Sequence, residues 1–149
     1  MFEYNRIKRK SRELPEFEEI IKIRGIGEIL AARVIAEIGD AKRFKDAGSL
    51  IAYSGIDAPA YQSGNVNIES RRISKRGNKH LRKVGYEIMM SIKKSGSMSK
   101  DNVIYEYIVQ KEYEGKSKKV AKIAGMNKFF KIYYGIWKMD RRHCRFYGG

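Results

Sequence analysis

Hydrophobic residues recur along most of this chain at the three- and four-residue spacing of a single helix face, which predicts a mostly α-helical protein. The clearest pattern runs from Glu28 to Ile38 and stops at Gly39, where glycine suits the end of a helix. The other predicted helices lie at about 15–23, within 41–53, from 77 or 78 to about 94, at 102–113 and from about 117 to 139. The predicted fold is therefore a helical domain that closes with a long basic helix.

Turn-forming residues mark where these helices begin and end. Pro15 suits a first helical position, and a cap near Ser49 is predicted for the helix before Tyr53. Gly55, Pro59 and Gly64 exclude a helix across 54–64. Weak alternation over 65–74 predicts a short β-hairpin or an irregular loop around 60–75. The small polar residues of 93–101 predict a linker, and the long helix is predicted to bury Val120, Ile123, Ala124, Phe130, Ile136 and Trp137.

Three segments follow from this division. Residues 1–14 are predicted to be a basic leader or the remnant of a connecting helix. Residues 15–139 are predicted to be one domain, which is an ordinary length for a single hydrophobic core. Residues 140–149 are predicted to be a basic tail.

The charge of the chain points to a polyanionic partner. Lysine and arginine number 32 against 17 acidic residues, which gives a formal net charge of +15. DNA or RNA fits this excess best, because neutralised phosphates release their counterions. No apolar run reaches the roughly 20 residues that cross a bilayer, and no secretion signal is present. We therefore expect no membrane partner and a cytoplasmic, nucleoid-associated protein of a prokaryote.

The segment Ile23–Asp40 has the pattern of a helix-hairpin-helix module, in which hydrophobic residues alternate with glycines between two helices. Gly25 and Gly27 flank Ile26, and glycine lets a backbone turn tightly and approach a ligand. Their amides and the start of the next helix would then face a phosphate oxygen. A plain helical hairpin, in which the glycines only form the turn, is the alternative.

The stretch from Tyr61 to Asn78 is the second predicted nucleic-acid contact. This stretch, together with Lys79 directly after it, contains an unusual density of cations among small polar residues. The predicted contacts here are Arg71, Arg72, Ser74, Lys75, Arg76, Asn78 and Lys79. Cations at the start of the following helix oppose its dipole, and an anionic ligand would resolve that conflict.

Ser63, beside Gly64, is the candidate nucleophile. A serine hydroxyl needs a base, a metal or dense positive charge to become reactive, and the sequence around Ser63 offers only cations. Spacing alone leaves a turn residue or a phosphate contact as the alternatives. Cys144, His80 and His143 form no zinc pattern, and no carboxylate pair is spaced for magnesium, so no metal site is predicted in this chain.

Three motifs together resemble the C-terminal transposase domain of the DEDD-type insertion-sequence transposases, the bridge-RNA-guided recombinases that include the pilin-gene invertase. They are I-R-G-I-G-E-I-L-A-A-R-V-I-A-E-I-G-D-A-K-R-F, L-I-A-Y-S-G-I-D-A-P-A-Y-Q-S-G and R-I-S-K-R-G-N-K-H-L-R-K. The resemblance covers roughly 15–139, and the order of the motifs is more specific than any one of them.

The resemblance implies a function. The family's Y-x-S-G serine is taken to attack DNA and form a covalent intermediate, and this role would fall to Ser63. The block R-x-S-K-x-G-N, here Arg72 to Asn78, would lie against nucleic acid. The family's four magnesium-binding acids belong to an N-terminal RuvC-like domain, for which this chain has no match. Magnesium is thus expected only with a RuvC-like partner domain, and a homo-oligomer and a guide RNA are further implied partners.

Three functional hypotheses remain open at this point. The first is the DNA-binding domain of a serine-using transposase or recombinase that contributes Ser63 to strand exchange without being active alone. The second is a non-catalytic DNA- or RNA-binding module derived from such an enzyme. The third is a basic structural protein of a ribonucleoprotein. The chain could be a truncated gene product, a stand-alone protein or an excised domain.

Overall fold

The computed structural model describes residues 2–57, 75–95 and 102–147, and these residues form helices and turns without any β-strand. The helices are α1 (Phe2–Arg12), α2 (Pro15–Ile21), α3 (Glu28–Ile38), a 3₁₀ turn (Ala41–Arg43), α4 (Ala47–Ser54), α5 (Lys79–Ser95), α6 (Val103–Tyr113) and α7 (Lys118–Tyr147). The predicted mostly-α fold is confirmed. Residues 60–74 of the predicted hairpin or loop lie outside the described residues.

The limits of several helices differ from the prediction. The cap of α4 is Asp46, whose Oδ1 accepts from the Ser49 amide at 2.8 Å, because the helix begins earlier than Ser49. Helix α5 runs to Ser95, so the predicted linker is helical over its first three residues. Helix α7 continues from the predicted end at Met139 to Tyr147, since no proline or glycine interrupts it there.

The core forms around α7, which packs against α2, α4, α5 and α6. Phe129, Phe130 and Tyr133 are fully buried on α7, with Ala121 and Met126 on the same side. Of the residues predicted to be buried on this helix, Phe130 is confirmed and Ile123, Ala124, Ile136 and Trp137 are partly buried. Val120 is instead 49% exposed, because the neighbouring Ala121 is the residue that meets the core. Gly125 lets α6 approach α7, since a Cβ there would come within 2.7 Å of Ile108.

Helix α3 forms a second layer against α1, α2 and α5. Ala31 and Ala32 are buried in this layer, where their small side chains leave room for a neighbouring helix. Ile29 fits the apolar spacing of Glu28–Ile38, which predicts that it is buried, but it is 52% exposed. Lys8 and Arg12 of α1 both pair with Glu28 of α3, at 2.8 and 2.6 Å.

The turn between α2 and α3 is pressed against α5. Gly25 has φ +105°, and a Cβ there would lie 2.7 Å from the Ile92 Cα. The Ser91 hydroxyl donates to the Gly25 carbonyl at 2.6 Å, and the Asn102 side chain donates to the Arg24 carbonyl at 2.8 Å. Both the backbone conformation and the close packing therefore require glycine at position 25.

We expect Gly25→Ala to lower the free energy of unfolding by more than the roughly 1–2 kcal/mol that a left-handed conformation alone imposes on a residue with a Cβ. The additional loss comes from displacement of the α5 backbone at Ile92. Urea unfolding followed by circular dichroism measures this loss. Gly115→Ala is the matched control, since Gly115 has φ +94° with nothing near its Cβ position. Equal losses in the two variants would contradict a packing role for Gly25.

Candidate nucleic-acid interface

The basic block before α5 is fixed by its backbone to the end of α4. The Lys75 amide donates to the Gly55 carbonyl at 3.0 Å, and the Asn78 amide donates to the Tyr53 carbonyl at 2.6 Å. Between them, Gly77 lies directly on the Tyr53 carbonyl, where a Cβ would overlap the oxygen. Gly55 ends α4 in the left-handed conformation, with φ +75°. We call residues 75–78 with their contacts to Tyr53 and Gly55 the α4–α5 latch.

Asn78 completes the latch with its side chain. Its Oδ1 accepts from the amides of His80 and Leu81, at 2.8 and 3.2 Å, and so caps α5. Its Nδ2 donates to the Tyr53 hydroxyl at 3.0 Å and to a Glu37 carboxylate oxygen at 3.4 Å. The sequence predicts Asn78 as a DNA contact, and that stays a prediction. In the structure, both the oxygen and the nitrogen of its amide group form hydrogen bonds within the protein.

Tyr53 in turn belongs to a small aromatic stack. The Arg43 guanidinium lies 4.5 Å from the centre of the Tyr53 ring and 4.7 Å from that of Phe44. Hydrogen bonds from Asn78 and Arg43 lower the pKa of the Tyr53 hydroxyl, because both donors favour the ionised oxygen. The stack fixes the end of α4 to which the latch binds.

A surface cleft of about 450 Å³ opens beside the latch. Its lining comes from the latch, from α5 and from α7. The lining residues are Ile56, Lys75, Lys79, Arg82, Lys83, Tyr86, Lys119, Ile123 and Met126. Five of these are cations and none is acidic, so the cleft is strongly electropositive. We call it the cationic cleft.

Few acidic side chains neutralise the cations of the cleft. Among the described residues, Lys75, Lys79, Lys83 and Lys119 take part in none of the ion pairs of this structure. The Arg82 guanidinium donates to the Ser54 carbonyl at 3.4 Å, which directs it to the negative end of the α4 dipole. Like charges held together without counter-charges repel one another, and a bound polyanion relieves that repulsion.

The structure separates the two nucleic-acid contacts that the sequence predicted. Gly25 meets α5 at Ile92, whereas Lys75, Arg76, Asn78 and Lys79 lie at the beginning of the same helix. Along α5, the helix rise puts Lys79 and Ile92 about 20 Å apart. Gly27 has open space around its Cβ position and begins α3 without a side-chain cap. The helix-hairpin-helix assignment stays a prediction.

Ser63, Arg71, Arg72 and Ser74 lie outside the described residues. The segment 58–74 that contains them joins the described chain at Asp57 and Lys75. Ile56, the residue before Asp57, and Lys75 both line the cationic cleft.

Sequence reasoning missed the contribution of α7 to this site. The sequence predicts a long basic helix here without distinguishing its lysines, although Lys119, Ile123 and Met126 share one helix face at spacings of four and three residues. That spacing shows which lysine of α7 lies on the same helix face as these apolar residues. It does not show that α5 lies opposite, because that depends on how the two helices pack.

The described residues contain no group of three or more histidine, cysteine, aspartate or glutamate side chains that could hold a metal ion. None of the described helices is long and apolar enough to cross a bilayer.

Comparison with known families decides the relationship of this chain. Residues 18–105, which are more than half of its length, match the model of the Transposase IS116/IS110/IS902 family. The chain belongs to that family. The matched range includes the turn at Gly25, the segment with Ser63, the latch and all of α5.

Individual relatives agree with this family membership. The chain is 38% identical over 76 residues to a Streptomyces coelicolor protein named as a mini-circle transposase for IS117, which covers 50% of the chain and 18% of that protein. It is 28% identical over 119 residues to the pilin gene-inverting protein of Moraxella bovis, which covers 80% of the chain and 36% of that protein. The same protein of Moraxella lacunata matches to the same extent. The chain thus spans less than two fifths of the length of these curated relatives.

For this transposase-family chain, we expect Asn78→Ala to lower the free energy of unfolding by about 1 kcal/mol or more in the absence of nucleic acid, because the α5 cap is lost. Thermal unfolding without DNA measures the effect. Lys79→Ala is the control: this exposed neighbour makes no cap, and we expect a change within about 0.5 kcal/mol. An Asn78→Ala variant as stable as the parent would show that the latch does not depend on this side chain.

Proposed function

We propose that this chain is a DNA-binding domain of a transposase or recombinase that acts by strand exchange, with the cationic cleft as its main contact and Ser63 as its nucleophile. The observation that supports this most directly is the set of five cations that three separate parts of the fold bring to one cleft. Family membership and the names of the relatives support the same function.

The cleft suits a phosphate backbone rather than a single small anion. Its cations come from the latch, two turns of α5 and the first turn of α7, so the positive charge is spread along the cleft. The polar groups of its lining are mainly cations, which bind phosphates without selecting a base sequence. Contacts of this kind position DNA and would leave the choice of target to other parts of the complex.

In the proposed reaction, the Ser63 Oγ attacks a phosphorus atom of the DNA backbone. A serine–phosphate bond forms, one phosphorus–oxygen bond of the DNA breaks, and the displaced oxygen takes up a proton to become a free hydroxyl. The serine proton passes to solvent or to a base. Nearby cations stabilise the additional negative charge on the phosphate as it reacts.

The metal-binding part of the reaction is proposed to lie in a RuvC-like unit outside these 149 residues. The described residues do not fit a magnesium site, since they contain no cluster of potential ligands. We therefore assign no metal-dependent step to the described residues. A guide RNA and a second copy of the chain are further proposed partners of the assembled complex.

We expect DNA binding to weaken as salt rises, with log affinity falling by about 0.9 per log unit of salt for each phosphate contact. Lys119→Ala should reduce that slope by about one contact, because Lys119 lines the cleft. Fluorescence anisotropy with a labelled duplex over a salt series measures both quantities.

Lys131→Ala is the matched control for this experiment. Lys131 is another exposed lysine of α7 and removes the same charge, but it lies outside the cleft. An equal change of slope in the two variants would contradict the cleft as the contact site. Affinity that is insensitive to salt in the unmodified chain would contradict phosphate-dominated binding altogether.

We expect a covalent protein–DNA adduct when the chain is mixed with labelled duplex DNA, Mg²⁺ and a separate RuvC-like domain of the family. Ser63→Ala should abolish it, since no other hydroxyl is proposed to attack. Denaturing gel electrophoresis detects the adduct. Ser99→Ala, a serine outside the three motifs, should leave it unchanged.

Two results would revise the proposal. An adduct that persists in Ser63→Ala would show that the nucleophile is a different residue. Salt-dependent DNA binding without any adduct would assign the chain to the second hypothesis, a non-catalytic binding module.

A further inference from the structure

The cationic cleft has two chemically different parts. Its cations belong to the latch, to α5 and to α7, whereas its remaining lining is apolar. Ile56 and Met126 are almost fully buried, at 3% and 1% exposed, and so form a floor. Tyr86 and Ile123 are only partly buried and form walls above it.

An apolar floor is not needed to bind double-stranded DNA. A duplex presents charged phosphates and sugars at its outer surface and keeps its base faces stacked inside. Cations on a flat surface would be sufficient for that contact. A base that has left the stack, in contrast, exposes apolar faces, which an aromatic or apolar surface can cover.

The size of the cleft fits a single unit of this kind. Its volume of about 450 Å³ falls within the range of about 300–1,000 Å³ that is usual for small-molecule and cofactor sites. Lys75, Lys79 and Lys119 belong to the same lining as Tyr86, so one nucleotide could contact both parts of the cleft. Single-strand binding sites commonly combine a cationic track with an aromatic platform in this way.

We propose that the cationic cleft binds an unpaired nucleotide of a DNA or RNA strand, with its base against Tyr86 and the apolar floor and its flanking phosphates on the surrounding lysines. This inference rests on the proposed nucleic-acid-binding function and specifies the ligand of that site. It predicts that affinity depends on the presence of bases and not only on the number of phosphates.

The test compares strands that carry the same charge with and without bases. Fluorescein-labelled dT12, an abasic strand with the same number of phosphates, rU12 and a 12-base-pair duplex are each titrated with the full chain at one salt concentration. We expect dT12, rU12 or both to bind about tenfold more tightly than the abasic strand, since stacking on an aromatic ring contributes at about this level per base.

Variants then locate the effect. Tyr86→Leu should remove most of the preference for bases and Tyr86→Phe should retain it, because the ring rather than the hydroxyl is proposed to stack. Tyr113→Leu is the control, since Tyr113 is 94% exposed on α6 and lies outside the cleft. Circular dichroism verifies that the Tyr86 variants are folded, and the comparison of strands on the unmodified chain remains valid if one of them is not.

Equal affinity of the unmodified chain for abasic, dT12 and rU12 strands would overturn the inference. If the duplex still binds in that case, the proposed function stands and only the unpaired ligand is wrong. If neither the strands nor the duplex bind, the proposed function itself fails. A base preference that Tyr86→Leu leaves intact in a folded variant would place the unpaired base outside this cleft and would also overturn the inference.

Discussion

The contact between Gly77 and the carbonyl of Tyr53 determines where the basic face of this domain begins. The absence of a side chain at residue 77 lets the chain lie directly on the end of α4. The Asn78 amide can then bind the Tyr53 carbonyl, and the Asn78 side chain can start α5 at Lys79. This start places Lys79, Arg82 and Lys83 on the first two turns of α5, beside Lys75 of the latch. The contact at Gly77 therefore joins the cations of the latch to those of α5, and the packing of α7 on α5 adds Lys119.

Asparagine has a corresponding role at the other end of the domain. Asn102 caps α6 by accepting from the Tyr105 amide at 3.1 Å, and its Nδ2 donates to the Arg24 carbonyl in the turn after α2. Asn78 caps α5 and reaches α4 with the same two groups. In both cases one amide side chain starts a helix and also joins it to an earlier part of the chain. Helix boundaries and tertiary packing are thus coupled through two residues.

The helical fold and most helix positions could be predicted from spacing alone. Buried residues of α5 such as Leu81, Val84 and Ile88 recur regularly, and Gly39 and Gly115 end helices where glycine favours it. The cap of α4 was misplaced because Asp46 and Ser49 are both good capping residues, and only the observed hydrogen bond distinguishes them. The cations around Asn78 in the sequence predict a ligand contact there, and that contact stays a prediction, but they do not reveal its structural role. Its partner Tyr53 is 25 residues away, which local patterns cannot detect. The sequence predicts Lys75 and Lys79 of the cleft but not Lys119, because Lys119 reaches the cleft only through the packing of α7 on α5.

The position of Gly25 against Ile92 also limits how a duplex can be held. The turn at Gly25 and the latch lie at opposite ends of α5, about 20 Å apart along its axis. Base pairs in B-DNA follow one another at about 3.4 Å, so this distance corresponds to roughly six base pairs. That is little more than half of a helical turn of about 10.5 base pairs. In a straight duplex lying along α5, a strand that faced the latch would thus have turned away from the protein at Gly25.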